Sequence, residues 1–126
     1  MAILRSLAAC FPVADINETI RWYEEQLSFI GDPFPSREPY VFAILRRDNL
    51  EIMLQRIDNY EKPDVYRLRS GGVWDAYIRV DGVKDLYESV REEVTILQPL
   101  RKQPYGNWEF EVKDLNGYVL VFSEPS

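Results

Sequence analysis

The apolar residues of this sequence repeat at a spacing of 67 residues, and this repeat constrains the fold more than any other feature. The matched pairs are Ala9 with Ala76, Phe11 with Ile78, Val13 with Val80 and Ile16 with Val83. Further pairs follow at a spacing of 68 residues: Tyr40 with Trp108, Phe42 with Phe110 and Ile44 with Val112. One extra residue in the second half accounts for the change of spacing. Internal repetition of this kind predicts two equivalent modules rather than one continuous sheet.

We predict that each half follows the same order of a strand, a helix and three strands, although only two strands are located after the helix in the first half. In the first half, we predict strands at 3–13, 40–46 and 50–55, a helix capped by Asp15, and a turn-rich stretch at 31–39. In the second half, we predict strands at 72–80, 94–100, 108–112 and 118–124 and a helix at 83–90. We therefore expect one α+β domain at 1–126, with module one at about 1–56, a linker at about 57–71 and module two at about 72–126.

Histidine is absent from the 126 residues, and Cys10 is the only cysteine. A Ser-His-Asp or Cys-His arrangement is therefore impossible, and we predict no catalytic residue. No internal disulfide or thiolate metal cluster can form, and a metal would need carboxylate ligands. Cys10 itself is expected to be a buried, inert thiol.

The net charge of the chain is -6 and its isoelectric point is about 4.7. An acidic protein of this kind is a poor partner for nucleic acid, whose phosphates need a basic face. The apolar N-terminal segment 1–11 is short and interrupted by Arg5, so it predicts neither a signal peptide nor a membrane span. We expect a soluble, cytoplasmic protein without a membrane partner.

With this layout, the chain resembles the glyoxalase/bleomycin-resistance/dioxygenase group, the vicinal oxygen chelate superfamily. The segments that carry the resemblance are Phe11–Ile16, Ile20–Tyr23, Leu50–Gln55, Tyr77–Val83, Pro104–Gly106, Phe110–Asp114, Asn116–Tyr118 and Phe122–Glu124. They extend over nearly the whole chain in a matching order. The resemblance implies paired βαβββ modules that form a cup-shaped mixed sheet.

The enzymes of this family hold a divalent metal at positions that correspond here to Ala8, Met53, Asp75 and Val121, with Glu51 as an alternative to Met53. Alanine and valine cannot bind a metal, so the resemblance is to the metal-free, bleomycin-resistance-like branch. It implies a homodimer that binds a small molecule, sequestering a drug or toxic compound, with no metal and no cofactor.

Strand parity selects the residues expected to face the ligand, on the side of each sheet away from its helix. They are Glu51, Met53, Gln55, Asp75, Tyr77, Arg79, Glu109, Glu111 and Val121. Several carboxylates beside aromatic rings favour a cationic, partly planar ligand. In the alternative reading, Glu109 and Glu111 belong to a solvated sheet face, and Asp75 pairs with Arg79 or caps a backbone group. Tyr66 and Tyr105 are expected in loops, as a lid or at the rim.

Two other functions are open from the sequence. One is an enzyme of the same superfamily, a lyase or dioxygenase-like protein, that uses Glu51 and Asp75 as an atypical carboxylate site. The other is an interaction domain whose cup is filled by tyrosine and tryptophan side chains.

Overall fold

The computed structural model describes residues 1–126, which form two compact units, Met1–Glu61 and Lys62–Ser126. The first unit contains a four-stranded sheet in the order β1-β4-β3-β2. Strands β1 and β4 are parallel, whereas the other neighbours are antiparallel. Its elements are β1 (Ala9–Val13), α1 (Ile16–Leu27), β2 (Ile30–Phe34), β3 (Phe42–Arg47) and β4 (Leu50–Arg56).

The second unit repeats this arrangement with a sheet in the order β5-β8-β7-β6. Again the first and last strands pair in parallel and the other neighbours are antiparallel. A short 3-10 helix (Tyr66–Leu68) precedes its elements β5 (Ala76–Arg79), α2 (Val83–Val90), β6 (Thr95–Lys102), β7 (Asn107–Lys113) and β8 (Val119–Pro125). The predicted α+β class with two βαβββ modules is confirmed. Neither helix is long and apolar enough to cross a membrane.

The two helices begin with different caps. Asp15 is the N-cap of α1, as predicted, and its Oδ1 accepts the backbone N–H of Glu18 at 2.9 Å. The N-cap of α2 is Gly82, which has no side chain. Glu124, at the far end of β8, replaces the missing cap by accepting the N–H groups of Gly82 and Val83, each at 3.0 Å. Sequence-distant residues therefore complete the start of the second helix.

Each helix packs on one face of its own sheet. In the first unit the fully buried side chains of this layer include Tyr23, Leu27, Ala43, Leu45 and Leu54. In the second unit they include Val83, Phe110, Val112 and Leu120, and the rings of Tyr87 and Phe110 meet edge to face at 5.0 Å. Burial of these apolar side chains is the main force that holds each helix to its sheet.

The stretch 31–39 is not only a turn, because its first part lies in strand β2. Pro33 suggested a turn because proline has no N–H to donate to a neighbouring strand. However, β2 is an edge strand that pairs only with β3, and an edge position tolerates that missing donor.

Strands β1 and β5 are also shorter than predicted. Ala9 pairs with Ile52, and only two residues of β4 precede Ile52. Residues 3–8 therefore have almost no part of β4 to pair with. Their apolar members Ile3, Leu4 and Leu7 are exposed. In the second unit, the N–H groups of Gly72 and Val73 donate to the carbonyl oxygens of Arg69 and Tyr66, respectively. These bonds belong to the preceding loop, so β5 begins only at Ala76.

The predicted equivalence of β3 with β7 was wrong by one residue. Phe110 pairs with Phe122 in the second unit, and Ala43 pairs with Leu54 at the matching place in the first. Ala43 is therefore equivalent to Phe110 and Leu45 to Val112, at the spacing of 67. The extra residue lies in the turn between β7 and β8. Consequently, Phe42 and Ile44 lie on the sheet face away from α1.

Candidate functional site

One sheet face of the second unit, the face away from α2, carries a group of polar side chains. Strand parity places it opposite Phe110, Val112 and Leu120, which pack against α2. We call it the Glu109 face, and its members are Tyr77, Arg79, Glu109, Glu111, Val119, Val121 and Ser123. Sequence parity predicted this placement of Glu109 and Glu111 correctly.

The carboxylate of Glu109 lies at the centre of a hydroxyl network and is 4% exposed. Its Oε1 accepts the hydroxyl of Tyr105 at 2.5 Å. Its Oε2 accepts the hydroxyls of Tyr77 and of Ser123, the latter at 2.8 Å. Asn107 completes the network by donating from Nδ2 to the Ser123 Oγ at 3.1 Å. All three side chains that donate hydrogen bonds to the Glu109 carboxylate are therefore neutral hydroxyl groups.

The second carboxylate, Glu111, is 7% exposed and accepts the Tyr66 hydroxyl at 2.6 Å. Burial and the neighbouring carboxylate raise the pKa of Tyr66 to about 12, because a phenolate there would lose solvation and meet a negative charge. Burial and Glu109 likewise raise the pKa of Tyr105 above its ordinary value. Both tyrosines therefore stay protonated as hydrogen-bond donors.

The alternative that Glu109 and Glu111 form a solvated sheet face is wrong, since both are buried. Tyr105 lies in a turn, as predicted, whereas Tyr66 begins the 3-10 helix rather than lying in a loop. The contacts of both with the carboxylates were not predicted. The only sequence signal was the presence of tyrosine in two loops, which does not specify a partner. Asn107 was missed altogether, because it lies at the first position of β7, between a turn and a strand.

Asp75 and the other predicted members of the second unit have separate roles. Asp75 Oδ2 accepts the backbone N–H of Val119 at 2.8 Å and lies 3.4 Å from the Lys62 Nζ. Its partners are thus a backbone group, as one alternative held, and Lys62 rather than Arg79. Arg79 lies over the ring of Tyr77 at 5.6 Å. Val121 is 1% exposed and supplies only apolar contact.

The three predicted residues of the first unit lie on the sheet face away from α1. Glu51 pairs with Arg46 at 3.0 Å and the Met53 side chain is half-buried. Gln55 Oε1 accepts the Cys10 thiol at 3.2 Å. Cys10 is exposed, so the prediction of a buried thiol was wrong. Its neighbours Phe11 and Val13 turn inward, and parity places Cys10 on the opposite face.

The residues at the four family metal positions do not fit a metal. Ala8 and Val121 have no donor atom, and Asp75 already binds Lys62 and a backbone N–H. The structure brings no three cysteine, aspartate and glutamate side chains together as a ligand set. Glu51 and Asp75, the two residues of the alternative carboxylate site, each form an ion pair with a basic side chain.

Comparison with known proteins gives a clear answer for the fold. No protein-family model and no curated protein matches the sequence. Among solved structures, a glyoxalase-related enzyme from Clostridium phytofermentans aligns over 99% of this chain and 98% of its own, at 16% identity and a TM-score of 0.77. A bleomycin-binding protein from Streptomyces verticillus, complexed with copper(II)-bleomycin, aligns over 100% of both chains at 20% identity and a TM-score of 0.71.

A member of the glyoxalase/bleomycin resistance protein/dioxygenase superfamily from Sphaerobacter thermophilus aligns over 97% of this chain and 98% of its own, at 17% identity and a TM-score of 0.74. The resemblance predicted from the sequence is thereby confirmed at the level of the fold. Since proteins with this fold include both binding proteins and enzymes, the fold alone does not define the activity.

Proposed function

We propose that this chain is a small-molecule binding protein of the glyoxalase/bleomycin resistance type, acting without a catalytic transition metal, and that it binds an organic cation on the Glu109 face. The observation that carries the proposal is the pair of buried carboxylates, Glu109 and Glu111, whose partners are hydroxyl groups rather than cations. We propose a binding role rather than catalysis because the chain has no histidine and the residues at the family metal positions do not fit a metal.

Electrostatics favours a positively charged ligand at this face. A buried carboxylate is costly unless it is well paired, and charged donors form stronger hydrogen bonds with it than neutral hydroxyls do. An ammonium or amidinium group that replaced one tyrosine hydroxyl would therefore gain both a charge-assisted bond and Coulomb attraction. The exposed ring of Trp74, whose centroid is 5.4 Å from that of Tyr77, offers an aromatic surface for a planar cation.

The structural neighbours support the wider parts of the proposal. The bleomycin-binding protein from Streptomyces verticillus was solved with copper(II)-bleomycin, so this fold can bind a large organic ligand. By this likeness we propose that our protein sequesters a drug or toxic compound as a cytoplasmic homodimer. Sedimentation of the purified chain tests the dimer independently of the ligand.

The first experiment is calorimetric titration with copper(II)-bleomycin and with two matched probes, benzamidinium and its uncharged analogue benzamide. We expect saturable binding of a cationic probe and much weaker binding of benzamide. Glu109→Gln removes the charge at nearly constant shape and should weaken binding of the cation by about tenfold, the loss expected for one charge-assisted hydrogen bond. Glu51→Gln is the matched control in the first unit and should leave affinity within about twofold.

Three results would overturn the proposal. The first is equal affinity for benzamidinium and benzamide. The second is an equal loss of affinity in Glu109→Gln and Glu51→Gln. The third is about one tightly held metal ion per chain, measured by elemental mass spectrometry after exposure to Zn²⁺, Mn²⁺, Fe²⁺ and Ni²⁺ and desalting.

A further inference from the structure

A small cavity in the second unit has a lining of opposite charge to the Glu109 face. It lies between the segment that leads into the 3-10 helix and the ends of β7 and β8 that meet at their turn. Its volume is about 50 Å³, several times the space that one water molecule needs. The lining residues are Lys62, Asp64, Tyr66, Arg67, Leu97, Lys113, Gly117 and Val119.

Three cationic side chains and one anionic side chain line this cavity, although the whole chain has a net charge of -6. Lys62 is the most buried of the cations, with a side chain 9% exposed, and it is paired with Asp75 at 3.4 Å. It also donates to the Pro63 carbonyl oxygen at 3.2 Å. Lys62 is therefore held in place by the protein itself.

Arg67 and Lys113 differ from Lys62, because neither forms an ion pair with a carboxylate of this chain. Asp64, the one acidic group of the lining, accepts the backbone N–H of Tyr66 at 3.3 Å instead. The lining therefore contains two cations, Arg67 and Lys113, that form no ion pair within the chain. In an acidic protein, such a pair in a partly enclosed space favours an anion.

We propose that this cavity binds an oxyanion group, a carboxylate or a phosphate, through Arg67 and Lys113. The guanidinium of Arg67 can offer two parallel N–H donors to two oxygens, and Lys113 supplies a point charge. Leu97 and Val119 form the apolar part of the wall and suit the carbon skeleton of a small acid. The volume limits the occupant to a small anion or to the acidic group of a larger molecule.

Tyr66 places this cavity beside the Glu109 face. Its ring lines the cavity, while its hydroxyl donates to Glu111. Lys113 follows Glu111 by two residues on β7, so both side chains are on the same side of the sheet. The anion can therefore be a free ion, or it can be the acidic group of a ligand whose cationic group lies at the Glu109 face. The proposal holds for either source and does not depend on the proposed function.

The test is an NMR titration of the isotope-labelled full chain with sodium phosphate and then sodium acetate, at constant ionic strength. We expect saturating shifts of the Gly117 amide and the Arg67 side-chain N–H. Lys113→Gln and Arg67→Gln should each weaken binding by about tenfold. Lys102→Gln removes an exposed cation elsewhere on the same sheet and should change the affinity for the anion by less than about twofold.

Glu109→Gln separates this proposal from the proposed function, because that variant should still bind phosphate. Two probes then identify the source of the anion, benzamidinium and 4-carboxybenzamidine. If 4-carboxybenzamidine binds more tightly than benzamidinium, and this gain disappears in Lys113→Gln, the cavity binds the acidic group of the ligand itself. If the two probes bind equally, the cavity binds a free ion. Shifts that never saturate, or an equal loss in Lys102→Gln, would overturn the oxyanion site.

Discussion

The two units share a backbone plan but differ on the sheet face away from the helix. Glu109 and Glu111 of β7 occupy the positions that Phe42 and Ile44 hold in β3, as the pairing with β8 and β4 shows. The hydroxyl pair of Tyr77 and Ser123, 2.8 Å apart, corresponds to the thiol and amide pair of Cys10 and Gln55, 3.2 Å apart.

The helix-facing layer therefore maintains the fold, while the opposite face is free to vary. Leu45 and Val112 are both fully buried on the helix side of their sheets, at equivalent positions. On the other face, an apolar pair in one unit is replaced by two carboxylates in the other. A buried carboxylate network needs every partner in place, whereas an apolar pair does not, so mutations should affect the two units unequally.

The largest contrast is expected from replacing the central carboxylate. Glu109→Leu removes the carboxylate that accepts hydrogen bonds from Tyr77, Tyr105 and Ser123 and should lower the free energy of unfolding by about 3 kcal/mol. Phe42→Leu, at the equivalent position of the first unit, should lower it by only about 1 kcal/mol. Urea unfolding followed by tryptophan fluorescence measures both values. Equal losses would show that the two faces do not differ in this way.

A smaller effect is expected at Glu111. Tyr66→Phe removes one hydrogen bond and should cost about 1 kcal/mol near pH 7, less than a fully buried charged bond because solvent reaches this side chain. The pKa of Tyr66 is raised from 10.0 to about 12 in the folded chain. The extra stability of the wild type is therefore complete below pH 10.0 and disappears as the pH rises through about 12.

Urea unfolding of both proteins between pH 7 and pH 12 measures this difference. Tyr60→Phe, which changes another tyrosine in a loop, is the control and should show no comparable alkaline effect. A gap between wild type and Tyr66→Phe that stayed constant to the highest pH would argue against the Tyr66–Glu111 bond.

The smallest expected effect concerns the helix caps. The N–H groups of Val83 and Gly82 hold the pKa of Glu124 below its ordinary value of 4.5. Its stabilising contribution is therefore complete above pH 4.5 and is lost as the pH falls through the lower folded-state pKa. Glu124→Gln should be less stable than wild type near pH 7, and the two should converge in acid. Glu93→Gln, an exposed control, should stay parallel to wild type throughout.

The sequence predicts most of the fold because its helix-side pattern is unambiguous. Phe11 and Ile78, like Ile16 and Val83, recur at one spacing and lie in equivalent elements. The register of β3 was harder to predict, because Phe42, Ala43, Ile44 and Leu45 are apolar on both faces and give no alternation. Strand β2 was not predicted, because proline indicates a turn unless the strand is known to lie at the edge of a sheet.

The candidate site was less predictable than the fold. Strand parity predicts the correct sheet face for Glu109 and Glu111. It does not predict their burial, which depends on the paths of two loops. Tyr66 reaches Glu111 from 45 residues away, and Lys62 reaches Asp75 from a segment that reads as a polar linker. Such contacts are determined by tertiary structure and leave no local pattern in the sequence.

The parallel pairing of first and last strands has a consequence for the order in which the chain can fold. In each unit the last strand lies inside the sheet, between the first strand and its antiparallel neighbour. A ribosome that has released residues up to Arg56 has supplied every strand of the first sheet. The second sheet likewise lacks its inner strand until β8 emerges, so β5 has no partner in its sheet until then. During translation, the first strand of each unit therefore has unpaired edges until the last strand of its own unit emerges.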